Sequence, residues 1–206
     1  MAQVQPLRGS LSLAPTWFGI LLFFLHGGMQ QGTGVLGNSL MIDGRGIAPE
    51  LAGLWISIFW AGLTIGRVLT GMMVGRIGNN RYMRASMLLT VVGTLLFQSN
   101  LGDSLTFAGV ALIGFTLAPV LPLLLADTPG RVGAAHSPNT IGLQIGSSGI
   151  GVAVLPALMA VLADRVDLET IGVSLFLIAL LSFLAHEGLL AQERRHPVPA
   201  SFSPVR

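Results

Sequence analysis

Apolar residues fill this chain in long blocks, without the alternating or one-sided pattern of a water-soluble fold. The clearest block, GLWISIFWAGLTIGRVLTGMMVGRIG, begins at Gly53 and closes on NNRYMR. Trp55, Ile56, Ile58, Phe59, Trp60, Leu63 and Ile65 make a helix apolar on every face, which leaves no side for water. From Leu51 to Val74 it has the roughly 20 residues that a bilayer core requires. Five similar blocks predict further spans at about Pro15–Gly37, Arg84–Gln98, Leu105–Leu125, Asn139–Leu162 and Thr170–Leu190. Pro15 suits the first turn of its helix. The third span is short and is expected to sit with little tilt or behind its neighbours. Pro119 and Pro122 predict a kink or break in the fourth. The six spans make one domain, residues 15–191, between a short cytoplasmic lead (1–14) and a Pro- and Arg-rich tail (192–206) that is expected to be disordered.

Composition places this pattern in a membrane. Charged residues are 10% of the chain and hydrophobic ones 52%, whereas a soluble domain has about 25% charged residues. The reading is therefore an all-α integral membrane protein with the lipid bilayer as its surroundings. Cysteine is absent, which excludes disulfides and thiolate metal sites; no metal or cofactor is expected. The pI near 10.4 reflects eleven arginines without a lysine on a net charge of +2, so no nucleic-acid partner is expected. The apolar stretch after Arg8 runs on to about Leu36 without a small-x-small cleavage site, and reads as a span rather than a signal peptide.

The arginines also orient the chain. With six spans, Arg8, Arg76, Arg81, Arg84, Arg131, Arg194, Arg195 and Arg206 share one side; Arg45 and Arg165 take the other, and Arg67 lies within a span. Because arginines beside span ends are retained inside, both termini are expected in the cytoplasm and the chain in the inner (cytoplasmic) cell membrane.

Small and polar residues supply the candidate chemistry. Gly62, Gly66 and Thr70 recur every four residues, as do Gly71 and Gly75, and Gly142 with Gly146; such rows let helix backbones approach closely. Gly53-Leu54-Trp55-Ile56 echoes Gly142-Leu143-Gln144-Ile145 at an offset of 89, which also pairs Gly62 with Gly151. The two copies run in opposite directions, as in two inverted three-span units. In the first span His26, Gln30, Thr33 and Gly37 form a polar stripe with Gln31 and Asn38 nearby; in the fifth, Thr140, Gln144, Ser147 or Ser148 and Gly151 form another. Polar groups at membrane depth face protein or a water-filled cavity. These stripes are therefore either helix-to-helix bonding or, with Gln30 and Gln144 on one cavity, the lining for a small polar solute. Trp55 reads as an interfacial anchor and Trp60 as a plate for a sugar face. Asn139 reads as a helix cap. Arg67 needs a partner, and Asp127 is the candidate for a structural or gating pair. No carboxylate lies at the centre of a span and no G-x-x-x-x-G-K-[ST] run is present, so neither a membrane-centre acidic relay nor ATP is indicated.

An enzyme reading is weighed on Gly146-Ser147-Ser148-Gly149 and His186, the pair of an intramembrane serine protease. Counting rise along the spans puts Ser148 about 14 Å deep and His186 about 6 Å, and that gap of about 8 Å is too long for a nucleophile–base hydrogen bond.

Gly71-x-x-x-Gly75-Arg76-x-Gly78-x-x-Arg81 resembles the loop signature of the major facilitator superfamily, G-x-x-x-D-R-x-G-R-R, with Gly75 at its Asp and Asn79 and Asn80 at its basic positions. Ala52-Gly53-Leu54-Trp55, Trp60-Ala61-Gly62 and Gly66-Arg67 are similar to the C-terminal half of bacterial sugar permeases of the fucose-permease type. Pro138 to Gln144, with Gly151 and Pro156, resembles their eleventh helix. The likeness covers nearly the whole chain but half of a family member. It implies six helices forming one half (a 3+3 inverted repeat) of the facilitator fold. It also implies transport of a small polar solute by alternating access, with the first and fourth helices of the half on the pathway; permeases of this type usually carry Glu where Gln30 stands. The expected solute contacts are His26, Gln30, Gln31, Asn38, Trp60 and Gln144. The expected gating and loop set is Arg67, Gly71, Gly75, Arg76, Gly78, Arg81 and Asp127. A transporting assembly is expected to be a homodimer, or a heterodimer with a second six-helix half. The alternative is a truncated or split-gene fragment that does not transport without a separate first half.

Overall fold

The computed structural model describes residues 5–195, and every regular element among them is a helix. The order is α1 (Leu7–Leu11), α2 (Ala14–Ser39, running on into a π-helical turn at Leu40–Gly44), α3 (Pro49–Ile77), α4 (Asn79–Gln98), α5 (Asp103–Leu117), α6 (Val120–Val132), α7 (Ser137–Arg165) and α8 (Thr170–Arg195). Four stretches are long and apolar enough to cross a membrane: Pro49–Ile77, Asp103–Val132, Ser137–Arg165 and Thr170–Arg195. The other two long rods, α2 and α4, carry the Gln, His, Asn and Arg residues that lower their apolar average.

Helix ends depart from the apolar blocks. Hydropathy marks the part of a rod that sits in hydrocarbon, whereas the backbone ladder continues past it until something stops it. So α4 begins at Asn79 rather than Arg84 and α7 ends at Arg165 rather than Leu162. Likewise α8 continues through Gln192–Arg195, where disorder was expected; Arg194 and Arg195 complement the negative end of its dipole. The rest of the expected tail, from residue 196, lies outside the described residues, as do residues 1–4. Between α3 and α4 the stop is Gly78, whose φ of +86° is open to glycine and whose N–H bonds the Val74 carbonyl.

The proline pair breaks the fourth rod. Pro119 and Pro122 have no N–H, so the carbonyls of Phe115 and Ala118 lose their helical donors, and α5 gives way to α6 across Ala118–Pro119. Packing divides there too. One core cluster gathers Phe59, Phe97, Ile113, Leu117 and Leu175, and the other Leu22, Phe23, Met87, Val120 and Leu124.

The echoed glycines hold the two triplets of rods together reciprocally. In α3, Gly62 and Gly66 take α5 against them at Phe115 and Ala118; in α7, Gly151 takes α2 at the Phe24 carbonyl. The middle rod of each triplet therefore packs on the first rod of the other. By contrast Gly71, Gly75, Gly142 and Gly146 have nothing within 4 Å of where a Cβ would stand.

Candidate functional site

Helix α2 lies at the centre, and its polar stripe divides between two sides. His26 and Thr33 are buried, and Gly37 faces the Phe97 ring of α4. Gln31, Val35 and Asn38, spaced by four and three, keep partial or full exposure. They fall on the side between the contact with α3, where Trp60 covers Gly34, and the contacts with α7, where Leu155 and Met159 cover Gly28 and Gly32. Gln30, also half-exposed, lies across the Gly34 contact from them, one turn from His26. Here the bundle is open. Trp60 is exposed and meets Phe59 edge-on, whereas Trp55 stacks on Phe107 at 4.8 Å and is held in the bundle.

Gln144 is 3% exposed. Its side chain fills the space that Gly19 leaves on α2, and its Oε1 accepts from Thr128 of α6 at 3.1 Å. One turn on, Ser147 donates to the Ile20 carbonyl at 3.0 Å, and one turn back Thr140 bonds Thr16. The stripe of α7 thus joins α2, α6 and α7. Asn139 does not cap its helix. Its Nδ2 donates to the Gln5 carbonyl at 2.7 Å, and Ser10 bonds His136 at 3.2 Å, so the α7 start is tied to the segment before α2.

Charges gather at the two ends of the bundle. The Arg67–Asp127 pair does not form. Arg67 is exposed on α3, and Asp127 accepts from Asn79 at 2.6 Å and from Arg131 at 3.3 Å. A shorter, neutral donor thus links the start of α4 to α6. Arg131 also reaches Glu193, and Arg84 reaches Glu187, each at 2.6 Å. Arg76 and Arg81 stay exposed, as Gly71, Gly75 and Gly78 do.

At the opposite end lies a group that the sequence reading passed over. Arg45 sends Nε and Nη2 to the two oxygens of Glu169 at 2.8 and 2.6 Å, and Nη1 to the Phe97 carbonyl at 2.8 Å and Thr106 at 2.9 Å. Its guanidinium also lies over the Phe97 ring at 5.2 Å. The turn after α2, the end of α4, the start of α5 and the α7–α8 connection meet there. The signal in the sequence was an arginine on the side with few arginines, matched by the acidic Ala163–Glu169 loop. His186, finally, has no hydrogen-bond partner on either ring nitrogen, so it makes no bond to Ser148.

A family model described as Major Facilitator Superfamily matches residues 17–205. The chain is similar to the glucose/mannose transporter GlcP of Bacillus subtilis, 27% identical over 108 residues, which is 52% of this chain and 26% of that protein. It is also similar to the multidrug resistance protein Stp of Mycobacterium tuberculosis, 32% identical over 123 residues, 56% of this chain and 23% of that protein. The matched part is thus about a quarter of the length of these relatives. Among solved structures, FucP in the outward conformation superposes with a TM-score of 0.73 at 16% identity, over 90% of this chain and 46% of that one. At that identity the likeness concerns the fold.

Proposed function

The chain belongs to the Major Facilitator Superfamily, and we propose that it works as one six-helix half of a transporter that moves a small polar solute by alternating access. The observation that carries this reading is the open side of α2, where Gln31 and Asn38 stand half-exposed between α7 and Trp60 of α3, with Gln30 across that contact. Amide groups beside an indole suit a hydroxyl-rich solute such as a sugar, whose polar edges accept and donate while its apolar face stacks. The named activity of GlcP agrees with a sugar, and that of Stp marks how far substrates range among similar proteins. His26 and Gln144 are buried, and Gln144 joins α2 to α6 near Gly19, away from that side. The gating set works at the cytoplasmic end, where Asn79 and Asp127 link the Gly78 loop to α6.

Six spans, counting α5 and α6 as one, put both termini on one side of the membrane and make two inverted three-span units, and the arginine split assigns that side to the cytoplasm. The halves of a facilitator are related by an axis along the membrane normal, so two copies of this chain with one topology satisfy the geometry as a parallel homodimer. The polar side of α2 would otherwise meet lipid, where each unsatisfied amide costs several kcal/mol. A second reading rests on length: FucP is about twice as long as the matched region, which favours a fragment completed by a separately encoded half.

Mass measurement in mild detergent, followed by sugar uptake into liposomes that hold only the purified chain, tests the proposal. A dimer with flux supports the homodimer. A monomer without flux overturns it and leaves the fragment or heterodimer.

A further inference from the structure

We propose that the bundle contains a built hydration site for a single water molecule at the break between α5 and α6. The site lies within the six helices and does not depend on the transport reading. A small cavity opens where His26 of α2, Thr90 of α4 and Ser182 of α8 converge, with Leu117 and Val120 on either side of the break forming its wall. It gives about 10 Å³ to the centre of a water-sized sphere, which is about the least space that holds one water. A sugar, or an ion with its hydration shell, does not fit.

The chemistry of the lining asks for a donor. His26 is 2% exposed and its Nδ1 has no hydrogen-bond partner. Ser182 donates its proton to the Ile178 carbonyl at 2.8 Å. The proton of Thr90 goes to the Ser86 carbonyl at 3.0 Å or to the Thr116 hydroxyl at 2.8 Å. Both hydroxyl oxygens keep acceptor lone pairs, and neither has a proton left for His26. A water supplies a donor to two of the three: one O–H goes to Nδ1 and the other to one of the two hydroxyl oxygens. That arrangement places the imidazole proton on Nε2. An apolar filling would leave a buried nitrogen unsatisfied, which folded proteins avoid.

Two methionines in the wall report on the site. Met29 and Met87 line the cavity, whereas Met41 and Met83 are fully buried elsewhere. Pulsed X-ray radiolysis of the chain in lipid nanodiscs makes hydroxyl radicals from bound as well as bulk water, and heavy-oxygen water marks the products. Oxidation of Met29 and Met87 is expected several-fold faster than that of Met41 and Met83. The variant Ala179→Val, which adds two methyl groups to the wall, is expected to bring the two rates down to the level of Met83. Equal rates at all four methionines in the unaltered chain would overturn the site. Fast rates that Ala179→Val leaves unchanged would overturn it too, since the radicals would then come from elsewhere.

Discussion

Glu169→Ala is expected to destabilise the bundle by about 3–5 kcal/mol, the cost of leaving a buried charge without its counter-ion. The Arg45 side chain is 3% exposed and that of Glu169 35%, so the two partners are not equivalent. Without the carboxylate, the guanidinium keeps the Phe97 carbonyl, Thr106 and the Phe97 ring, none of which carries a negative charge. Arg45→Ala leaves Glu169 able to turn to water and is expected to cost less, about 2 kcal/mol, mainly for the carbonyl and hydroxyl stripped of a donor. In Arg45→Ala/Glu169→Ala no buried charge remains, so the double variant is expected to fall short of the sum of the singles by about 1–3 kcal/mol. Reversible unfolding in mixed micelles at increasing SDS fraction measures all three. Additive effects would show that Arg45 is not an energetic clamp.

Gly151→Val is expected to separate α2 from α7. A Cβ at Gly151 would lie 2.0 Å from the Phe24 carbonyl oxygen and 2.8 Å from its carbon. The obstacle is backbone, so relief requires moving a whole rod. Overpacking of this kind costs about 1–3 kcal/mol, and more where a rod contact is lost along its length. At Gly146, five residues earlier, nothing lies within 4 Å. There Gly146→Ala is expected to stabilise the isolated chain by up to about 1 kcal/mol through helix propensity. Opposite signs in the same unfolding assay support the assigned faces; a loss of stability at both positions would contradict them.

These glycines show what kind of information the sequence carried. Spacing identified rows able to approach another helix, because a missing side chain is visible in sequence. It did not separate Gly62, Gly66 and Gly151, which meet another rod, from Gly71, Gly75 and Gly146, which meet none; that division depends on where other rods pass. The proline break was legible for a similar reason, since a missing N–H is a local property of Pro119 and Pro122. Partners at long range were not. Asp127 chose Asn79 and Arg131 over Arg67, and Asn139 reached the start of the chain rather than its own helix. Arg45 was counted toward orientation, and a count does not record which loop bears the matching charge. In the polar stripes, helical periodicity put His26, Gln30, Thr33 and Gly37 on one broad face. The structure packs most of that face, because α4 and α8 close over His26 and leave Gln30 half-exposed, while the open side carries Gln31 and Asn38.

On the proposed function, the open side of α2 faces an aqueous pathway rather than lipid. The chain has no cysteine of its own, so single substitutions report without background. Gln31→Cys and Asn38→Cys, each in a transport-competent assembly in liposomes, are to be compared with Leu88→Cys and Leu95→Cys on the outer face of α4. Gln31→Cys and Asn38→Cys are expected to react rapidly with a charged, water-soluble thiol reagent, slowed by the transported solute, and the two α4 variants to react little. Reaction at Gln31→Cys and Asn38→Cys as slow as at Leu88→Cys and Leu95→Cys would place that side of α2 against lipid and rule out an aqueous pathway there.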